Sequence, residues 1–288
     1  MCNICSSHTE CGSGQLCVGG ACQACTVTCA GTPAQCGATL QVALSGTAPA
    51  VFVCPGAYQG GFSISRPVVV YGAGSDDNPA TSTILDGNNV NRVVRVDAAT
   101  GGVLLQDLRI TQGLAKSGGG VYHTNGAFLQ MTRCTVDQNV AYVSSFPANQ
   151  ESAKGGGVAF AGTQAALLDC QIIRNSAESG PLSGGGLGGG ICATAGTVYL
   201  GGTTIVANNV AKNGAGVSVE QNSSLTVEAN CRITGNDGIV GGGILNVNST
   251  VALSGPDPSP IVVNNCHENC RGNVPKCQSG GTCPPGGG

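Results

Sequence analysis

The chain repeats one hydrophobic pattern five times between residues 117 and 265. Each copy opens with a glycine run followed by Val or Ile, as in "SGGGVY" at 117–122 and "VGGGIL" at 240–245. Each copy closes on an asparagine 18 to 22 residues after the glycines. A repeated unit of nearly constant length indicates a structure stacked on itself. The closing asparagines are Asn139, Asn175, Asn209, Asn236 and Asn265.

Apolar and polar positions alternate just before each asparagine. The third residue before it is always Val or Ile, and polar residues such as Arg133, Asp169 and Asn230 lie between the apolar ones. A period of two predicts a β-strand with one buried face. The glycines allow a tight corner, and stacked asparagines can form a ladder of bonded amides. We therefore predict an all-β parallel β-helix over 37–265, between a Cys-rich disulfide module at 1–36 and a Cys-rich cap or tail at 266–288.

Two stretches resemble known families. The glycine run with Val or Ile, paired with "[IV]xxN", resembles the repeats of chlamydial polymorphic outer-membrane proteins, although those repeats favour Phe before the asparagine. The segment "VFVCPGAYQGGFSISRPVVVYGAG" at 51–74 resembles the opening coils of the pectin-lyase-like superfamily. The resemblance covers about 50–265 and implies a right-handed parallel β-helix, a solenoid. That superfamily contains polysaccharide lyases, hydrolases, surface adhesins and phage tail proteins, so the resemblance selects no single function.

The amino-acid composition limits the classes of partner that the protein is expected to bind. Charged residues make up 9% of the 288-residue chain and aromatic residues 3%, whereas hydrophobic residues make up 41%. Such apolar content predicts a folded core built from small aliphatic side chains. A net charge of −3 with scattered basic residues argues against a nucleic-acid partner. Because no run approaches the roughly 18 apolar residues of a membrane span, we expect no transmembrane segment.

Seventeen cysteines predict an exported, extracellular or cell-surface protein, because a reducing cytosol rarely holds so many unless they bind metal. The spacing at the N-terminus also matches a zinc ribbon, but interleaved cysteines favour disulfides. Cys2, directly after Met1, fits the lipid-bearing first residue of a bacterial lipoprotein. The disulfide candidates are Cys2, Cys5, Cys11, Cys17, Cys22, Cys25, Cys29, Cys36, Cys54, Cys266, Cys270, Cys277 and Cys283.

Four further cysteines fall inside the repeats. Cys134, Cys170 and Cys231 share one inward register, where each serves as a small buried hydrophobic residue. A disulfide between Cys134 and Cys170 stays open as an alternative. Cys192 falls at an outward position between Ala159 and Ser218.

Charged residues on the outward columns are the catalytic candidates: Asp107, Arg109, Arg133, Asp137 and Asp169. A glycoside hydrolase needs two carboxylates about 5 to 9.5 Å apart, and a lyase needs a base. The favoured interpretation is instead a surface ion pair between Arg133 and Asp169. We expect no cofactor, although Asp76 and Asp77 in the loop "GSDDNP" are weak Ca²⁺ candidates.

The loops at 140–154 and 176–187 follow adjacent corners and are expected to lie side by side. The first loop carries the aromatic residues Tyr142 and Phe146, candidate contacts for a polysaccharide or a surface protein. The sequence therefore predicts a β-helix protein with a structural, adhesive or glycan-binding role. The alternatives are a polysaccharide lyase or glycoside hydrolase acting on the β-helix face, and a piece of a larger surface assembly.

Overall fold

The computed structural model describes residues 5–144, 152–180, 185–255, 261–278 and 280. It contains a 3-10 turn at His8–Glu10, one α-helix, α1 (Pro33–Ser45), and thirty strands within those ranges. The strands of the first half are β1 (Gln15–Val18), β2 (Ala21–Ala24), β3 (Ala50–Phe52), β4 (Gly56–Gln59), β5 (Phe62–Ile64), β6 (Val68–Tyr71), β7 (Thr83–Asp86), β8 (Val94–Val96), β9 (Gly102–Gln106), β10 (Leu108–Thr111), β11 (Leu114–Ala115), β12 (Val121–Thr124), β13 (Phe128–Thr132), β14 (Thr135–Asp137) and β15 (Val140–Val143).

The strands of the second half continue the same order at a regular interval. They are β16 (Val158–Ala161), β17 (Gln164–Leu168), β18 (Gln171–Ile173), β19 (Ser176–Ser179), β20 (Ile191–Thr194), β21 (Thr197–Gly201), β22 (Ile205–Ala207), β23 (Val210–Ala211), β24 (Val217–Glu220), β25 (Ser224–Val227), β26 (Arg232–Thr234), β27 (Ile244–Val247), β28 (Thr250–Leu253), β29 (Val262–Val263) and β30 (Cys270–Arg271).

Apart from the β1–β2 hairpin, the strands form four parallel sheets that the chain visits in turn. Sheet 1 holds β3, β6, β9, β13, β17, β21, β25 and β28, and sheet 2 holds β4, β7, β10, β14, β18, β22, β26 and β29. Sheet 3 is shorter, with β11, β15, β19 and β23. Sheet 4 holds β5, β8, β12, β16, β20, β24, β27 and β30. This succession confirms the predicted parallel β-helix.

The alternation seen in the sequence fixes which residues fill the interior. Ile110, Val136, Ile172, Val206 and Ile233 pair rung to rung in sheet 2, and all of them are buried. The equivalent inward columns of sheets 1 and 4 join them in one continuous hydrophobic core. The interior is thin and aliphatic, as the low aromatic content predicts.

The corner between sheets 2 and 3 contains the asparagine column. Each side-chain Nδ2 donates to the Oδ1 of the next asparagine at 2.9 to 3.1 Å, from Asn139 through Asn175, Asn209 and Asn236 to Asn265. The same Oδ1 atoms also accept the backbone N–H of the preceding asparagine. All five side chains are buried, so the ladder supplies partners for backbone groups that face no water.

The ladder extends one group beyond the predicted asparagines at each end. At its start, the backbone N–H of Gly113 donates to Asn139 Oδ1 at 2.8 Å. At its end, Asn265 donates to the Oδ1 of Asn269 from both its backbone N and its Nδ2. Asn269 Nδ2 then donates to the carbonyl of Gly280. A residue of the C-terminal region therefore terminates the column.

Glycine corners lead into sheet 4. The first glycine of each run has a φ between +55° and +63°, a conformation that glycine adopts without strain. At Gly119, a Cβ would lie 2.4 Å from the carbonyl oxygen of Val140. The backbones therefore approach too closely for any side chain at this corner.

Helix α1 covers the N-terminal end of the hydrophobic interior. It starts with a capping box, in which Thr32 Oγ1 accepts from Gln35 N and Gln35 Oε1 accepts from Thr32 N. Cys36, Leu40 and Leu44 face the core and pack towards β4 and β5. This helix was not predicted from the sequence.

Disulfides hold both ends of the solenoid. In the N-terminal region the bonds are Cys5–Cys17, Cys11–Cys22, Cys25–Cys54 and Cys29–Cys36. This pairing contradicts the zinc-ribbon alternative. At the other end Cys270 bonds to Cys277, and Cys266 is also disulfide-bonded. Cys2 and Cys283 lie outside the described residues. The bonds indicate folding in an oxidising environment.

The four cysteines inside the repeats are free thiols, and all are buried. Cys134 and Cys170 lie on adjacent rungs without a disulfide between them. Cys192 is in register with Ala159 and Ser218, yet it is 1% exposed. Burial raises the pKa of the Cys192 thiol to about 12, so it is protonated at neutral pH and is no nucleophile.

One histidine lies inside the solenoid. His123 on β12 is fully buried, and its ring meets that of Phe160 edge to face at 6.1 Å. Burial lowers its pKa to about 4, because the charged imidazolium loses its hydration there.

Within the described ranges, no helix has the length and hydropathy that a bilayer crossing requires.

Replacing Asn209 with Ala is expected to lower the free energy of unfolding by about 3 kcal/mol. The change removes the acceptor for the backbone N and Nδ2 of Asn175 and the donor to the carbonyl of Ile172. Urea unfolding followed by circular dichroism measures this. Asn230→Ala, at an exposed position, is the matched control and should cost less than about 0.5 kcal/mol. Equal losses from the two variants would contradict the structural role of the ladder.

Acidification is expected to destabilise the fold through His123. In the unfolded chain the imidazole binds a proton near pH 6.5, whereas in the folded chain it does so only near pH 4. Stability from this group is therefore complete above pH 6.5 and falls as the pH drops towards 4, by up to about 3 kcal/mol. His123→Leu should remove that part of the pH dependence, measured as the difference in unfolding free energy between pH 7 and 4.5. An unchanged difference would show that His123 is not the cause.

Candidate functional site

The predicted charged strip spans the corner between sheets 1 and 2 and the outer face of sheet 2. Asp107, Arg133 and Asp169 occupy the same corner position on three successive rungs, each with a φ of +50° to +55°. The predicted pairing of Arg133 with Asp169 is wrong. Arg133 binds Asp107 instead, with Nε and Nη2 each 2.8 Å from a carboxylate oxygen. The guanidinium therefore reaches back to the preceding rung.

Asp169 is held by the following rung. Its Oδ1 accepts the backbone N–H of Thr203 at 2.9 Å and the hydroxyl of the same residue at 3.1 Å. The carboxylate thus supports the turn between β21 and β22, a role typical of Asp beside a tight turn.

Asp137 lies at the centre of the strip and is fully buried by its two arginine partners. Arg109 donates from Nε and Nη2 to both oxygens of Asp137 at 2.9 Å, and Arg174 donates from Nη2 at 3.0 Å. Burial acts to raise the pKa of Asp137, but the two guanidinium groups outweigh it and hold the pKa below its usual value. Asp137 is therefore ionised at neutral pH.

A groove of about 460 Å³ lies above this ion triad. One wall is the loop that carries Asp76 and Asp77, and the floor is the outer face of sheet 2 with Thr135 and Gln171. The loop is held by Ser82, whose hydroxyl accepts the backbone N–H of Asp76. The groove thus brings the two Ca²⁺ candidates together with two of the predicted strip residues, Arg109 and Asp137.

The groove offers hydrogen-bonding groups of both kinds. Arg174 is half exposed and provides donors, Asp76 and Asp77 provide acceptors, and the amide of Gln171 provides both. Two arginines and three aspartates give it a net charge of −1. Such a surface suits a hydroxyl-rich or mixed-charge ligand.

Sequence reasoning missed Arg174 and Glu228. Arg174 occupies the corner just before Asn175, with a φ of +55°, and its side chain reaches Asp137 on the preceding rung. Glu228 accepts the hydroxyl of Tyr199 and the backbone N–H of Gly202. The hydrogen bond from Tyr199 is the largest factor that lowers the pKa of Glu228. Extending the column comparison past the strand ends would have found both residues.

The structure describes one of the two aromatic candidates. Tyr142 lies on β15 and is 47% exposed, beside Glu178 of β19. The two strands pair from Val140–Val143 to Ser176–Ser179, so the described parts of the two predicted loops do lie side by side. Phe146 lies outside the described residues.

Metal-ligating groups do not converge at the groove. In the described part of the chain, two clusters of His, Cys or acidic residues come within ligand distance of one another: Cys5, Cys11 and Cys22, and Asp237, Cys266 and His267. The cysteines in both clusters are disulfide-bonded, so their sulfurs offer no thiolate. Asp76 and Asp77 belong to neither cluster.

No family model matches the chain, and neither a curated protein nor a solved structure matches it.

Replacing Asp137 with Asn is expected to lower the free energy of unfolding by about 3 kcal/mol, because two arginines then face a neutral amide. Asp107→Asn breaks the pair with the half-exposed Arg133 and should cost less than about 1 kcal/mol. The folded-state pKa of Asp137 is depressed, so the wild-type advantage should vanish as the pH falls through that value. Thermal unfolding between pH 7 and 2 measures both effects. Equal costs at pH 7 would contradict the buried triad.

Proposed function

We propose that this chain is an exported, extracellular or cell-surface β-helix protein of the pectin-lyase-like superfamily that binds a glycan without cleaving it. Its role is adhesive or scaffolding, and the groove above the Arg109–Asp137–Arg174 triad is the contact site. The disulfides at both ends are consistent with an oxidising location. The proposal places the chain in the superfamily that the segment 51–74 resembles.

The observation that carries the proposal is that each carboxylate of the predicted strip already has a partner. Asp107 binds Arg133, Asp137 binds two arginines, and Asp169 binds Thr203. A glycosidase needs one carboxylic acid with a raised pKa to protonate the leaving group. The pKa of Asp137 is shifted the other way, as is that of the nearby Glu228. Arg109 and Arg133, the basic residues of the strip, are themselves bonded to carboxylates, which disfavours either as the base of a lyase. The strip therefore favours binding over the lyase or hydrolase alternative.

The groove has the size and chemistry for a short stretch of glycan. Its volume lies within the range of small-ligand sites, about 300 to 1,000 Å³. Arg174 and Gln171 can donate to sugar hydroxyls or carboxylates, and Asp76 and Asp77 can accept from hydroxyls. The triad fixes Arg109 and so keeps the floor rigid, which limits the entropic cost of binding.

Binding to a glycan microarray tests the proposal. The wild-type protein should bind a subset of immobilised glycans, and Arg174→Ala and Gln171→Ala should each weaken that binding about tenfold. Arg232→Ala is the matched control: Arg232 lies on the same sheet, and its guanidinium donates to the carbonyls of Ala229 and Cys231 outside the groove. Retained thermal stability would show that each variant is folded. Binding that neither groove variant weakens would refute the groove as the contact site.

A further inference from the structure

Two neighbouring rungs of the solenoid carry the same short sequence at one corner. The sequence Asn-x-Ser/Thr, in which x is not proline, occurs twice in the chain, at Asn222–Ser224 and at Asn248–Thr250. The first copy lies between β24 and β25, and the second lies between β27 and β28. Because β24 pairs with β27 and β25 pairs with β28, both copies lie at the corner between sheets 4 and 1. This sequence is the acceptor for N-linked glycosylation in exported proteins, where it lies on the surface.

The first residue of each copy is an exposed asparagine with an unbonded side chain. Asn222 has a φ of +60° and Asn248 a φ of +50°, as residues in tight turns do. Neither side-chain amide is hydrogen-bonded to any residue in the described ranges. The five ladder asparagines are the opposite case, because each is buried and its amide has bonded partners. The amides of Asn222 and Asn248 are therefore accessible to an enzyme, and modifying them breaks no contact.

The middle serine of each copy holds the corner in place. Ser223 is 1% exposed, and its hydroxyl lies within hydrogen-bond distance of the carbonyls of Ala193 and Glu220. The backbone N–H of Ser223 donates to Ser249 Oγ at 3.1 Å, and that hydroxyl donates to the carbonyl of Val247. Since the middle residue bonds to the backbone of the corner, the asparagine before it is left facing solvent.

The corner borders a sheet that has no charged residue in its strands. None of the eight strands of sheet 1 contains Asp, Glu, Lys or Arg, and Val247, next to Asn248, is 41% exposed. Charged side chains are the usual means of keeping such a surface soluble. Sugars attached at the edge of sheet 1 would supply the missing hydration. The groove lies on sheet 2, across the full width of sheet 1 from this corner, so the sugars leave it open.

We propose that Asn222 and Asn248 each carry an N-linked glycan in the exported protein. In this reaction the asparagine Nδ2 forms a bond to the anomeric carbon of an oligosaccharide carried on a polyprenyl pyrophosphate. The bond from that carbon to the pyrophosphate oxygen breaks, the lipid pyrophosphate leaves with the electron pair, and the amide loses one proton. Nothing is oxidised or reduced. The proposal rests on the exported location in the proposed function, and it does not depend on the groove.

Secretion of the full chain from a eukaryotic cell line, followed by mass spectrometry before and after treatment with peptide N-glycosidase F, tests the proposal. The wild type should lose the mass of two glycans, and the enzyme leaves Asp at each modified position, so peptide masses locate the sites. Ser224→Ala and Thr250→Ala keep both asparagines, yet each variant should lose one glycan and the double variant should lose both. A wild-type chain without glycans, or glycans that persist in the double variant, would overturn the proposal.

A buried asparagine provides the matched control. Ala177→Ser, made in the Ser224→Ala/Thr250→Ala chain, completes the same acceptor sequence at Asn175, whose side chain is buried in the ladder. The secreted variant should carry no glycan, because a sugar on Asn175 Nδ2 would break the ladder bonds. A secreted and folded variant with a glycan on Asn175 would contradict the claim that exposure selects the two corner sites.

Solubility and glycan-array binding separate this proposal from the proposed function. The Ser224→Ala/Thr250→Ala chain should precipitate at a concentration at least twofold lower than the wild type, because the edge of sheet 1 loses its hydration. Its melting temperature and its binding on the array should stay as in the wild type. Arg174→Ala should weaken array binding and keep both glycans. Equal solubility of the glycosylated and unglycosylated chains would overturn the role given to the sugars.

Discussion

Stacked side-chain amides in one corner hold the coils of this protein in register. A parallel β-helix turns sharply at every rung, and each turn leaves backbone groups facing an apolar interior where water cannot reach them. Asn209 and its equivalents satisfy those groups and one another in an unbroken column that Gly113 begins and Asn269 ends. Because the column fixes the rung spacing, it also fixes which outward side chains become neighbours. The ion triad and the groove both follow from that register.

The sequence carried enough information for the repeated part of the fold. Alternating Val and Ile before each asparagine identified the inward face, and glycine runs 18 to 22 residues before the asparagines identified the corners. Elements that occur only once were harder to predict, because no second copy of their sequence pattern supports the assignment. The buried residues of α1 lie four apart, at Cys36, Leu40 and Leu44, and Thr32 with Gln35 has a capping-box spacing. That signal was present but short. Asn269 closes the ladder from four residues after Asn265, a spacing that belongs to no repeat.

The candidate site was predictable in its location and less so in its contacts. The outward columns correctly placed Arg109 and Asp137 on one face, since strand parity determines facing. The alternation of positions along a strand predicts which face of the sheet a side chain lies on. It does not predict which neighbouring rung a long side chain reaches, and that decides its partner. Arg133 leans to Asp107 and Arg174 leans to Asp137, each towards the preceding rung. These contacts change the chemical interpretation, because a carboxylate that holds a guanidinium is poorly suited to proton transfer.

Reducing-end release from a panel of neutral and acidic polysaccharides, with and without Ca²⁺, distinguishes a binding solenoid from a catalytic one. In the proposed function the solenoid binds glycans, and the carboxylates of the strip stabilise the fold instead of catalysing a reaction. We expect no release above the background of a heat-denatured sample from any polysaccharide that the protein binds. Release that Asp169→Asn abolishes, while the variant keeps its wild-type melting temperature, would show instead that the strip is catalytic.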